Sequence, residues 1–170
     1  MTAEAQPALP ADSTSGASTP RRIFRLVAIA EAISWTLLIG GMILRAVTGD
    51  QTGVRIGGGI HGFVFLSFVV VTAVVAINQR WSARIVVLAL VSSVIPWATV
   101  PAEIYLDRRG LLTGEWRRTA TDDPRDQRTT DRVLRALLAR PITAALALLA
   151  AIAVVFVILL IVGPPFGKNG

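Results

Sequence analysis

The stretch "RIVVLALVSSVIPWATVPAEIYLDRR", Arg84 to Arg109, decides the fold. From Ile85 to about Leu106 it is apolar enough to be solvated by lipid, yet Pro96 and Pro101 break it and Glu103 sits near its far end. Taken as one element it is a kinked membrane crossing, in which neighbouring helices and local hydroxyls satisfy the carbonyls that proline frees. Its path also sets the side of the membrane on which the long charged segment after it lies.

Working outward, three further runs have the same character. A hydrocarbon core about 30 Å thick needs about 20 helical residues to cross it. Leu26 to Leu44 is bounded by Arg25 and Arg45 and interrupted only by Glu31; Ile56 to Ile77 opens in "GGGIHG" and contains His61; Pro141 to Gly163 has no charge at all. With 53% hydrophobic residues in 170 and a mean hydropathy of +0.61, the chain is too apolar for a soluble globule of this size. The expected fold class is all-α, a polytopic membrane bundle of four transmembrane helices. The first run lies too far behind a polar tail, and is too long, for a cleaved signal peptide, so it is expected to stay in the mature chain.

The organisation expected from these runs is a disordered polar tail over 1–20, a three-span membrane domain over 21–109, a charged loop over 110–140, a fourth span over 141–163 and a short tail over 164–170. The first two connections, "RAVTGDQTGVR" and "NQRWSAR", are short, so spans one to three form an antiparallel series. The connection from Asp107 to Arg140 has nine arginines and six acids, with "TATDDPRDQRTT" reading as flexible and exposed. Its end, "TTDRVLRALLAR", places Val133, Leu134, Leu137 and Leu138 on one helical face. It is either a short interfacial helix or an extension of span four. If the side bearing the N-terminal tail is A and the opposite side B, three crossings put the nine loop arginines on B with Arg45 and Arg55, and the fourth returns the chain to A. Arginine bias then makes B cytoplasmic and both termini external.

The net charge of +6 comes from 16 arginines and one lysine at span ends and in one loop, which points to a membrane surface and away from nucleic acid. The chain has no cysteine and one histidine, so no metal site or cofactor is expected. An ionisable group inside a span is costly and faces a bundle interior or a watery cavity. Glu31, His61 and Glu103 are therefore the candidate site residues. Ala28, Ala32, Thr36 and Gly40 recur every four residues beside Glu31 and form a stripe of small side chains suited to close helix packing. Glu31 is expected to face a neighbouring helix, protonated and hydrogen-bonded or paired with Arg84. His61 and Glu103 fall at matching depths from side B, so they either pair, with Arg45 and Arg55 at the mouth, or stand apart. Gly58 and Gly62 serve tight packing of span two, and Pro96 the kink in span three.

Together "RLVAIAEAISWTLLIGGMIL", "GIHGFVFLSFVVV" and "WSARIVVLALVSSVIPWATVPAEIYLDRR" resemble the small bacterial integral membrane family called domain of unknown function 3817, over about residues 22–109. The shared marks are a Glu early in span one, His-Gly opening span two, Trp-Ser before span three, and a proline followed by an acid. Here they fall on Glu31, His61 and Gly62, Trp81 and Ser82, Pro96, and Glu103. Where the family often has Pro-Phe-Gly-Thr, this chain has "PWAT" and adds Pro101. The resemblance implies location and a three-span domain, with span four outside it, and it supplies no reaction. The expected function is a non-enzymatic structural or accessory subunit of the bacterial inner membrane, working in the bilayer through self-association or a membrane-protein partner. The alternative is a small proton-coupled transporter using Glu31.

Overall fold

The structure is a computed structural model that describes residues 19–162. The tail over 164–170 and nearly all of the tail over 1–20 lie outside the described residues. Every regular element among the described residues is helical.

Helix α1 (Pro20–Thr48) starts at Thr19, whose hydroxyl accepts the Arg22 N–H at 3.3 Å, with Pro20 in the first turn. It stops at Gly49, whose φ of 77° lets its N–H bond back to the Arg45 carbonyl. Asp50 then accepts both the backbone N–H and the hydroxyl of Thr52, which fixes the start of α2 (Thr52–Gln79). The 29 and 28 residues of these helices rise about 40 Å, enough to cross and protrude. They lie antiparallel at very short range, because glycines meet where they touch. A Cβ on Gly41 would lie 2.5 Å from the Gly53 carbonyl, and one on Gly57 would lie 2.7 Å from the Leu37 oxygen. Without a hydrophobic driving force between helices in lipid, such backbone contact is a main source of association.

The segment after α2 departs from the expected third span. Helix α3 (Ala83–Val94) has 12 residues and ends before Pro96, and α4 (Thr99–Arg108) has 10. At 1.5 Å per residue α3 reaches only about 18 Å into the bilayer. The chain then reverses rather than bends. Trp97 adopts φ 60°, a left-handed conformation rare for a bulky residue, and its indole N–H donates to the Thr36 hydroxyl at 2.9 Å. From there α4 runs back along α1: the Thr99 hydroxyl donates to the Ala28 carbonyl at 2.9 Å, Arg25 donates to Glu103 at 2.8 Å, and Arg21 donates to Asp107 at 2.6 Å. Thus α3 and α4 form a re-entrant hairpin that enters and leaves on side A. Three helices, α1, α2 and α6 (Pro141–Val162), are long and apolar enough to cross a membrane, which corrects the expected four.

The hairpin carries the rest of the chain to side A. The connection after it packs on the end of α2, and α5 (Thr129–Ala139) follows as a separate short helix, divided from α6 by an irregular Arg140. The apolar core is concentrated in the same half of the bundle. Phe24 meets Phe68 and Trp81 at 5.6 Å between ring centres, joined by Val75, Ala89, Leu106 and Leu112. Helix α6 stands at the margin: its Phe156 packs edge-on against Phe63 and covers Gly62, and Ile152 is its only buried residue among those described.

Candidate intramembrane polar site

Helical spacing places Glu31, Ser34 and Trp35 on one side of α1, facing His61 of α2. Glu31 is 0% exposed and Ser34 1%. The Ser34 Oγ lies 2.9 Å from His61 Nδ1, 3.1 Å from Glu31 Oε2 and 2.8 Å from the Glu31 carbonyl. A hydroxyl has one hydrogen to give and two lone pairs, so the set closes when His61 Nδ1–H donates to Ser34 and Ser34 donates to Glu31. The other carboxylate oxygen, Oε1, is buried without a hydrogen bond and lies 3.7 Å from His61 Nδ1. Trp35 caps the cluster, its ring 4.4 Å from the imidazole and its indole N–H on the Ser93 carbonyl at 3.1 Å. That bond satisfies a carbonyl at the end of α3, where the helix stops inside the bilayer. Three elements are thereby tied at one depth.

The structure chooses between the alternatives left open for two pairings, and it corrects the depth expected for Glu103 on side B. Arg84 is exposed at the start of α3 and forms no ion pair with any described residue, so Glu31 takes His61 and Ser34 instead. Glu103 does not meet His61. The reversal at Trp97 carries it to side A, where it is 3% exposed and paired with Arg25, which also reaches Asp107 at 3.3 Å. Arg45 and Arg55 are exposed on side B and form no ion pair among the described residues.

The stripe beside Glu31 is largely filled from within the chain. Ala28 is buried under Thr99 and Thr36 holds Trp97, whereas Ala32 is half-buried and Gly40 faces open space. Gly62 packs under Phe156 as a close-packing glycine should, Gly58 only touches Leu38, and the tightest approaches fall on Gly41, Gly53 and Gly57. Pro96 marks the reversal itself. Ser34 and Trp35 escaped sequence reasoning, although their places three and four residues after Glu31 put them on its face.

A second polar cluster, also missed, orders the connection expected to be flexible. Asp126, 2% exposed, accepts the Thr121 N–H and hydroxyl at 2.7 Å each and pairs with Arg80 at 2.6 Å and Arg117 at 3.0 Å. Arg117 also donates to the Ile77 and Asn78 carbonyls at 2.6 and 2.7 Å, closing the free end of α2. The Thr121 hydrogen bonds, with Arg80 adding to them, hold the Asp126 carboxyl down at about 2, and the Arg125 guanidinium keeps Asp123 well below the usual carboxylate range.

These features define an all-helical integral membrane protein with a re-entrant hairpin and a buried acid–hydroxyl–imidazole knot. The chain belongs to the domain of unknown function 3817 family, whose model matches residues 21–108, from the start of α1 to the end of α4. A Streptomyces coelicolor protein provisionally named membrane protein SCO5905 is 38% identical over 100 residues, which are 58% of this chain and 12% of that protein. The chain thus spans about an eighth of that relative's length. No solved structure matches the chain.

Proposed function

We propose that this protein is a non-enzymatic accessory subunit of a bacterial inner membrane, which docks against another membrane protein or a second copy of itself through the tip of its hairpin. The observation that carries this reading is the tip. Val94, Ile95 and Trp97 are 64%, 53% and 49% exposed at the turn between α3 and α4. Irregular backbone at membrane depth is stable where protein or a watery cavity covers it and not where acyl chains do. The polar knot supports the same role, since it fixes the hairpin against α1 and α2 and so holds the docking surface in shape. Similarity over 100 residues to a small part of a far longer Streptomyces coelicolor protein fits a module that works beside other parts.

The absence of cysteine from the sequence makes the test clean. In native membranes Ile95→Cys should form protein crosslinks, while Ile158→Cys on the bare face of α6 should react with lipid-soluble maleimide alone. Equal labelling of both by the lipid-soluble reagent, with no protein adduct at position 95, removes the basis for the reading.

The hairpin also reverses the expected orientation. Arg21, Arg22, Arg25, Arg80, Arg84 and the nine arginines from Arg108 to Arg140 share side A, against Arg45 and Arg55 on side B. The arginine bias therefore makes side A cytoplasmic.

A second reading, proton-coupled transport through Glu31, draws on the unbonded Oε1 beside His61. Glu31→Gln separates the two. A packing carboxylate tolerates the isostere with crosslinking at position 95 intact, whereas a carrier loses proton uptake while still folding.

A further inference from the structure

Between α2, α5 and α6 on side A lies a cavity of about 450 Å³. Small residues on α6, Ala144 and Ala145, face Val70, Val71 and Val74 of α2, and Leu137 and Leu138 of α5 close one end. The gap is therefore built by side-chain size, and it falls within the range of about 300–1,000 Å³ usual for small-molecule sites. Its lining is apolar except for Ser67, whose hydroxyl is turned to the Phe63 carbonyl, and Arg118. Trp116 also lines it, as an amphipathic ring at the membrane interface would.

Arg118 is exposed and makes no ion pair or hydrogen bond with the described residues. The carboxylates nearest in sequence, Glu115 and Asp122, are exposed and form no ion pair with it, and Asp123, Asp126 and Asp131 are engaged by Arg80, Arg117 and Arg125. Two more exposed arginines without ion pairs adjoin lining residues: Arg22 precedes Ile23, and Arg140 precedes Pro141. An apolar slot between helices with guanidinium groups at headgroup level complements an amphiphile with an anionic head.

We propose that this cavity binds an anionic phospholipid of the side A leaflet, with one acyl chain between α2 and α6 and the phosphate on Arg118. The site is independent of docking at the hairpin tip, since Val94, Ile95 and Trp97 take no part in its lining. It also accounts for the position of α6, which buries so little protein surface: the lipid completes its packing.

The experiment is native mass spectrometry of the full chain in mild detergent, titrated with phosphatidylglycerol or with phosphatidylcholine of the same acyl chains. Phosphatidylglycerol is expected to bind about tenfold more tightly, because phosphatidylcholine presents the same phosphate already neutralised by its own choline cation, which the exposed arginines repel. Arg118→Gln should erase that preference, and Ala145→Phe should weaken both lipids by filling the slot. Arg45→Gln on side B should change neither. If Ala145→Phe does not fold, Val74→Phe fills the same space from the opposite wall. Equal binding of the two lipids by the unaltered chain, an undiminished preference in Arg118→Gln, or unchanged binding after the slot is filled would each overturn the proposal.

Discussion

Placing a methyl group on Gly41 should unseat α1 from α2, while the same change one residue earlier should not. A Cβ at Gly41 meets the Gly53 carbonyl carbon and oxygen at 2.5 Å and the Val54 nitrogen at 2.8 Å, whereas a Cβ at Gly40 meets nothing within 4 Å. All three obstructing atoms are backbone, so no side-chain rotation relieves the contact and the helices must separate. Overpacking of this kind costs about 1–3 kcal/mol, with rigid backbone at the upper end. Alanine returns up to about 1 kcal/mol of helix propensity at either position. Gly41→Ala should therefore lose about 1–2 kcal/mol net, and Gly40→Ala should be neutral or slightly stabilising. By the scaling of soluble domains of this length, the loss is about 2–8 °C in Tm. Thermal unfolding in one detergent, followed by circular dichroism on both variants and the parent, measures it. Equal shifts for the two variants, or a more stable Gly41→Ala, would refute the backbone-contact account of the α1–α2 pair.

Protonation should release the connection only in strong acid. The Asp126 carboxyl is lowered to about 2, so its contribution is complete above the ordinary carboxylate range and is lost as pH falls towards 2. The Thr121 amide resonance should stay fixed from pH 7 to 5 and move only below about pH 4. A midpoint near pH 6 would contradict this. At the hairpin base, Arg25→Ala should disturb more than Glu103→Gln, because Glu103 is 3% exposed and would be left charged and buried, whereas Arg25 is half-exposed and can reach water. Protease cleavage at Arg108 and Arg109 in proteoliposomes should rise in that order, and the reverse order would count against the pairing. Reporter fusions test orientation: a fluorescent protein on the N-terminus should glow and a periplasm-dependent phosphatase there should stay inactive. The opposite result would place the arginine-rich side outside.

How much of this was legible in the sequence depends on the length of the signal. Helices α1, α2 and α6 each hold a long apolar run with no proline inside it, and hydropathy with the 1.5 Å rise suffices to find them. The stretch from Ile85 to Leu106 has the same composition whether it bends or turns back. A proline excludes a straight helix without choosing between those outcomes. The choice is made by contacts distant in sequence, Trp97 with Thr36, Thr99 with Ala28 and Glu103 with Arg25, which no local pattern contains. One clue was present: Glu103 and Asp107 match Arg25 and Arg21 in charge, spacing and direction if the segment returns. The same limit applies to the polar site. Glu31, His61 and Glu103 stand out because hydrocarbon rejects them. Their partners depended on the topology, so one misplaced crossing moved Glu103 from Arg25 to the wrong end of the bundle.

The hairpin gives the family domain an unusual kind of portability. The segment from 21 to 108 begins on side A, crosses twice, dips in and withdraws, and so hands the chain back on the face where it received it. Spliced into a longer polytopic protein, such a unit leaves the inside-out sense of every following helix unchanged, whereas a true three-crossing unit would invert them all. A segment with even parity can be gained or lost in one step, without redistributing the charges that orient the remainder of its host.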